Sequence, residues 1–204
     1  MSGTGAAAVC LASASPRRRE LLRQLGIECV VVPADIDESP RPGEAAAAHA
    51  LRLALAKARR VWAQADGCGG RPVVAADTVV SAGGQLFGKP LDLADCQRMF
   101  ALYSGRRHEV LTAVAVVSAA GEDSALSRSE VCFRVVGSGE VEAYWRSGEP
   151  ADKAGGYAIQ GLAAAFIREL RGSYSGVMGL PLFETAQLLR AHGLAVPAGG
   201  ELHR

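Results

Sequence analysis

The sequence predicts a single α/β domain with a mixed, largely buried β-sheet flanked by helices. Apolar runs of strand length alternate along the chain with stretches of helical periodicity, without internal repeats or an obvious linker. The chain has 204 residues, of which 49% are hydrophobic and 21% charged. This length and balance allow a sizeable core and exclude intrinsic disorder.

Charge and composition exclude several classes of protein. The net charge of +1, from 22 basic and 21 acidic residues, gives no overall field to gather nucleic acid or an anionic membrane. No apolar run approaches the roughly 18 residues of a membrane span. The five cysteines form no C-x-x-C pair, so we expect reduced thiols and a cytoplasmic protein. The alternative is a cleaved signal peptide, because residues 6–14 resemble a short one without its basic start.

Local signals place the elements along the chain. Strands are expected at residues 9–11, 28–32, 73–80, 85–87, 109–117, 129–136 and 165–170. Helices are expected at residues 16–25, 44–65, 93–104, 139–146 and 181–192. The buried face of the long helix is expected to carry Leu51, Leu55, Ala58 and Trp62. We expect a flexible N-terminus at residues 1–8, one domain at 9–193 and a flexible tail at 194–204.

Arginines at the predicted start of the first helix indicate an anion site. Ser15 is a suitable N-cap and Pro16 a suitable first residue, which places Arg17 and Arg18 in the first turn. Cations are disfavoured at this end of a helix, whereas a phosphate would bind both its N–H groups and the guanidinium groups. The alternative is a solvated basic cap.

Asp77 lies inside the apolar run 73–80, where an unpaired carboxylate would be costly. It is therefore a candidate metal ligand or general base, or else a hydrogen-bonded structural residue. Lys89, between Gly88 and Pro90, is either a phosphate ligand or an exposed loop residue. Gln160 follows a glycine-rich stretch and either reads a base edge or bonds within its loop.

The weaker candidates are an acidic pair, Asp37 and Glu38, and Lys57 in the long helix. Each alone is compatible with an ordinary surface position. Basic groups with isolated acidic ones together indicate a site for phosphate and a divalent metal, in which one carboxylate activates water.

These stretches together resemble the Maf family of nucleoside triphosphate pyrophosphatases. Each motif is weak alone, but the ordered set is specific and spans about residues 9–190. The matching segments are residues 11–18, 37–38, 52–58, 76–80, 88–90, 104–110, 152–155, 157–161 and 172–182.

The resemblance implies hydrolysis between the α and β phosphates of a nucleoside triphosphate, assisted by Mg²⁺ or Mn²⁺. It also implies two lobes with an active-site cleft between them, often in a homodimer. Asp77 matches the family's general base and Glu38 an acidic position suited, with Asp77, to metal binding. The phosphate-contacting positions are matched by Ser13, Arg17, Arg18, Lys57 and Lys89.

Three positions resemble the branch of the family that acts on dTTP and UTP, namely Arg17, Thr78 and Gln160. The branch that resembles 7-methyl-GTP pyrophosphatase has Trp, Gln and Glu at these positions. Two alternatives remain at this stage: a 7-methyl-GTP pyrophosphatase, and a nucleotide-binding regulatory protein linked to cell division with little turnover.

Overall fold

A computed structural model describes residues 8–64 and 68–196. The expected flexible segments lie outside these residues, apart from Ala8 and residues 194–196. Two compact units are present. The first contains the described residues up to Asp77, Ala113–Leu126 and those from Gly179 onward; the second contains Thr78–Thr112 and Ser127–Met178.

Seven strands form one mixed sheet in the order β2-β1-β3-β5-β6-β7, with β4 paired to β3. They are β1 (Val9–Leu11), β2 (Cys29–Val31), β3 (Val73–Ala82), β4 (Gln85–Phe87), β5 (Arg107–Ser118), β6 (Gly121–Phe133) and β7 (Ile167–Arg171). In the first unit, β1 pairs in parallel with both β2 and β3. In the second, β4 is antiparallel to β3 and β7 is antiparallel to β6. The predicted α/β class with a mixed sheet is confirmed.

The helices agree with the predicted ones, with one addition. They are α1 (Pro16–Gln24), α2 (Ala46–Trp62), α3 (Leu93–Tyr103), α4 (Ser138–Arg146), α5 (Tyr174–Met178) and α6 (Leu182–Ala191). The short α5 was not predicted. Asp92 caps α3 by accepting a hydrogen bond from the Asp95 N–H at 2.8 Å. Among the described residues, no helix is long and apolar enough to cross a membrane.

The predicted buried face of α2 is wrong. The residues that the helix buries are His49, Ala50, Leu53, Ala54, Lys57, Ala58 and Val61. Of the four predicted residues, only Ala58 is fully buried, whereas the others are half-buried. The helix has alanines on every face, so the spacing of its apolar residues did not distinguish two neighbouring faces. The observed face points Lys57 into the protein interior.

The core of the second unit is aromatic. The Phe100 ring lies 5.7–5.9 Å from those of Tyr103, Phe133, Tyr144 and Phe166. These distances are typical of favourable aromatic pairs. β6 begins at Gly121, eight residues before the expected start at 129. Its first four residues are exposed, so no apolar run identified them as a strand.

Candidate active site

The loop between β1 and α1 is organised around the hydroxyl of Ser13. Its Oγ accepts hydrogen bonds from the Ser15 N–H at 3.1 Å and from Nη1 of Arg18 at 3.2 Å. Nε of Arg18 also donates to the carbonyl oxygen of Gly179 at 2.7 Å. Ser15 is at the N-cap position, as predicted, but its side chain makes no capping hydrogen bond. The serine and the arginine are therefore fixed relative to each other.

The first turn of α1 carries basic residues and no acidic one. Arg17 and Arg18 are its second and third residues, and both are half-buried. Burial lowers the pKa of Arg18, while the Asp77 carboxylate acts in the opposite direction. Two guanidinium groups at the positive end of a helix form a region suited to a phosphate.

Lys57 joins the two carboxylates proposed as metal ligands. Its Nζ lies 2.6 Å from Oδ1 of Asp77 and 2.8 Å from Oε1 of Glu38. The side chains of Lys57 and Asp77 are 9% and 8% exposed, whereas that of Glu38 is 57% exposed. A cation therefore already lies between the two carboxylates, and Glu38 remains open to solvent.

Burial raises the pKa of Asp77 above its ordinary value. The charges of Lys57 and Arg18 oppose this shift. A carboxylate with a raised pKa is a stronger proton acceptor, which suits a general base. The position on β3 follows from the sequence, since residues 73–76 and 79–80 of the strand are apolar and buried.

A polar network that sequence reasoning missed organises the loop after Glu38. Arg52 on α2 donates to both carboxylate oxygens of Glu44, at 2.6 and 2.7 Å, and to the Ser39 carbonyl at 3.1 Å. The Arg52 guanidinium lowers the pKa of Glu44. His49 Nδ1 lies 2.9 Å from Glu44. Arg52 thus ties the residue after Glu38 to the helix that carries Lys57, although no local pattern indicated the pairing.

The remaining predicted residues lie in the second unit. The Thr78 hydroxyl is 3.0 Å from that of Thr112, which is 2.7 Å from the Gly176 carbonyl. Lys89 and Gln160 are exposed. The Gly155 N–H donates to the Gly88 carbonyl at 2.8 Å, which fixes the glycine-rich loop against the residue before Lys89.

The contacts form two groups among the predicted residues of the first unit. Glu38, Lys57 and Asp77 form one group, and Ser13 bonds to Arg18. Arg17 is next to Arg18 in the same unit. Thr78, Lys89 and Gln160 belong to the second unit.

Similarity to known proteins identifies the family. A sequence profile of the family described as "Maf-like protein" matches residues 8–192. The chain belongs to the Maf-like protein family. Three relatives are each named "dTTP/UTP pyrophosphatase". The Maf-like chain is 49% identical over 191 residues to that of Chromobacterium violaceum, 50% over 186 residues to that of Hahella chejuensis and 52% over 191 residues to that of Anaeromyxobacter dehalogenans.

These matches cover almost the whole of each protein. The alignments span 93%, 91% and 92% of the Maf-like chain, and 96%, 92% and 95% of the three relatives in the same order. The family match over residues 8–192 includes all the predicted site residues.

The described part of the chain offers few carboxylates that could hold a metal ion. Among the described residues, no group of three or more His, Cys, Asp or Glu side chains is suited to hold an ion. Mg²⁺ is commonly bound by only one or two carboxylates, together with substrate phosphates and water. Glu38 and Asp77 are two carboxylates that could serve in this way, and both contact the Lys57 ammonium.

Proposed function

We propose that this Maf-like chain is a dTTP/UTP pyrophosphatase, which hydrolyses the triphosphate to a nucleoside monophosphate and pyrophosphate. The observation that carries the proposal is the buried pair of Lys57 and Asp77, with Glu38 on the same ammonium. A buried carboxylate with a raised pKa beside several cations suits attack of water on a phosphate. The names of the relatives supply the substrate class.

In this proposal the basic groups bind the triphosphate. Arg17 and Arg18 offer guanidinium groups at the start of α1, and Ser13 adds a hydroxyl. Lys57 and Lys89 add ammonium groups. Together they neutralise the charge that builds up on the pyrophosphate as it leaves.

Asp77 is the proposed general base. Its carboxylate takes a proton from a water molecule whose oxygen attacks the α phosphorus. The new P–O bond forms as the bond between the α phosphorus and the bridging oxygen breaks, and that oxygen leaves with the pyrophosphate. Lys57 holds the carboxylate in place through the 2.6 Å contact.

Glu38 and Asp77 are the proposed ligands of Mg²⁺ or Mn²⁺. Such an ion, when bound, neutralises phosphate charge and lowers the pKa of water. Glu38 is suited to this because its side chain is exposed and close to Asp77 through Lys57. Arg52 keeps Glu38 within reach by bonding to the Ser39 carbonyl.

Preference for a pyrimidine is assigned to Arg17, Thr78 and Gln160. An amide such as Gln160 offers a donor and an acceptor, which can pair with the imide edge of uracil or thymine.

A homodimer and a cytoplasmic location are also parts of this proposal. Analytical ultracentrifugation would test the homodimer.

The test is pyrophosphate release with Mg²⁺ or Mn²⁺ from dTTP, UTP, CTP, GTP, ATP and 7-methyl-GTP. We expect fast release from dTTP and UTP, and its loss in Asp77→Asn. Release from 7-methyl-GTP alone would assign the chain to that other branch. If UTP raises the melting temperature but no nucleotide is cleaved, the chain is a nucleotide-binding protein instead.

A further inference from the structure

A buried phenol holds the segment that carries Gln160. In the second unit, the hydroxyl of Tyr144 donates to Oε1 of Glu149 at 2.7 Å. The same hydroxyl accepts from the N–H of Ala158 at 3.3 Å. Tyr144 is only 4% exposed. One hydroxyl therefore ties α4 to the residue two positions before Gln160.

Glu149 holds the other side of the same segment. Its Oε2 accepts from the Leu162 N–H at 2.9 Å, and its Oε1 accepts from the Ala163 N–H at 3.3 Å. A Cβ added to Gly161 would overlap the Glu149 carboxylate, which would have to move. The carboxylate therefore packs directly against the residue that follows Gln160.

A third contact, which is fully buried, fixes the start of the segment. Nε2 of His108 lies 2.8 Å from the Tyr157 hydroxyl, and both residues are buried. The backbone is thus held before and after an exposed Gln160. None of these groups has a part in the chemistry proposed above.

We propose that Tyr144 and Glu149 are positioning residues that place the Gln160 amide for recognition of a pyrimidine base. The inference rests on the proposed function and on the assignment of Gln160 to base recognition. Paired hydrogen bonds to an imide edge require an amide held within about 0.5 Å of its productive place. A segment bonded at both ends by one carboxylate and one phenol meets that requirement.

Tyr144→Phe tests the proposal because it removes one oxygen and keeps the ring, which packs 5.8 Å from Phe100 and 5.4 Å from Phe166. The substitution removes both hydrogen bonds of the Tyr144 hydroxyl, so the Gln160 amide is less well placed. We expect kcat/KM for UTP to fall about five- to tenfold. The loss is expected mainly in KM. Release from GTP should change by less than about twofold, so the UTP-to-GTP ratio falls.

Ser104→Ala is the matched control. Its hydroxyl accepts from the Val136 N–H at 2.8 Å in the same unit and touches none of the residues around Gln160. We expect a comparable loss of thermal stability from this variant and an unchanged UTP-to-GTP ratio. If the control lowers the ratio as much as Tyr144→Phe does, the ratio reports general stability and the positioning role is refuted.

A double-mutant cycle with Gln160→Ala tests whether Tyr144 acts through Gln160. Tyr144→Phe should lower the ratio no further once Gln160 is replaced. Independent, multiplying effects would overturn the proposal, as would an unchanged ratio in Gln160→Ala. Glu149→Gln, which keeps the side-chain shape, replaces Tyr144→Phe if that variant does not fold.

The outcome also separates the two proposals. If the wild-type chain releases no pyrophosphate from UTP, the proposed function fails and the positioning role fails with it. If the wild type prefers UTP and both Tyr144→Phe and Glu149→Gln retain the full preference, only the positioning role fails.

Discussion

Replacement of Lys57 by Met removes the ammonium between two carboxylates and keeps most of the apolar stem. The contact with Asp77 is buried, with side chains 9% and 8% exposed. Loss of one partner of such a pair costs about 3–5 kcal/mol, because a charge remains buried without compensation. The contact with Glu38, 57% exposed, adds at most about 1 kcal/mol. Arg18 also favours the Asp77 charge, so we expect a loss of about 3 kcal/mol at pH 8.

The loss should depend on pH. Burial raises the pKa of Asp77 in the folded state above its ordinary value of 3.8, and Lys57 opposes that rise. Without Lys57, the pKa rises further. Because of this raised pKa, Asp77 keeps its proton to higher pH in the folded state than in the unfolded chain. The corresponding contribution to stability is therefore lost as pH rises through the folded-state pKa. The cost of Lys57→Met is therefore expected to be small near pH 4 and full at pH 8.

Urea unfolding followed by circular dichroism from pH 4 to pH 8 measures this cost. Arg59→Met is the matched control, since Arg59 lies on the same helix and pairs with Glu122 at the surface. The control should cost no more than about 1 kcal/mol. The double variant Lys57→Met/Asp77→Asn should recover most of the loss. A cost for Lys57→Met below about 1 kcal/mol, or one equal at both pH values, would refute the buried-pair reasoning.

Three further predictions test other parts of the molecule. In urea unfolding, Gly155→Ala should destabilise the chain far more than Gly70→Ala. Both glycines have φ above +70°, but of the two only Gly155 has no room for a Cβ, which would lie 2.6 Å from a valine of β3. Burial lowers the pKa of His108 to about 4, so the unfolded chain takes up this proton at higher pH than the folded one. The free energy of unfolding should therefore fall by about 3 kcal/mol from pH 6.5 to pH 4, and by less in His108→Gln. An equal fall in both proteins would contradict this. Arg52→Lys should raise the Mg²⁺ concentration for half-maximal pyrophosphate release about tenfold by loosening the loop of Glu38, and an unchanged value would exclude that role.

Elements with a local signal could be predicted from the sequence. Pro16 marks the start of α1, and Asp92 that of α3. Both signals depend on the backbone of a few neighbouring residues, so they do not require knowledge of the tertiary contacts. The face of α2 could not be predicted in this way, because its buried side includes the polar residues His49 and Lys57. Counting apolar residues excludes them in advance.

The same distinction between local signals and tertiary contacts applies to the residues of the candidate site. Asp77 was identifiable because a carboxylate interrupts a buried strand. Lys57 alone was indistinguishable from a surface lysine, since its partner is twenty residues away and only the fold brings the two within 2.6 Å. Glu149 gave no signal at all, because the two backbone N–H groups that it accepts from are more than ten residues further along the chain.

Hydrolysis of UTP in water enriched in ¹⁸O tests the proposed chemistry most directly. Attack of water on the α phosphorus transfers the label to the monophosphate, whereas attack on the β phosphorus transfers it to pyrophosphate. We expect mass spectrometry of the products to find one ¹⁸O in UMP and none in pyrophosphate. Label in pyrophosphate, or release of orthophosphate and UDP instead, would contradict the proposed reaction.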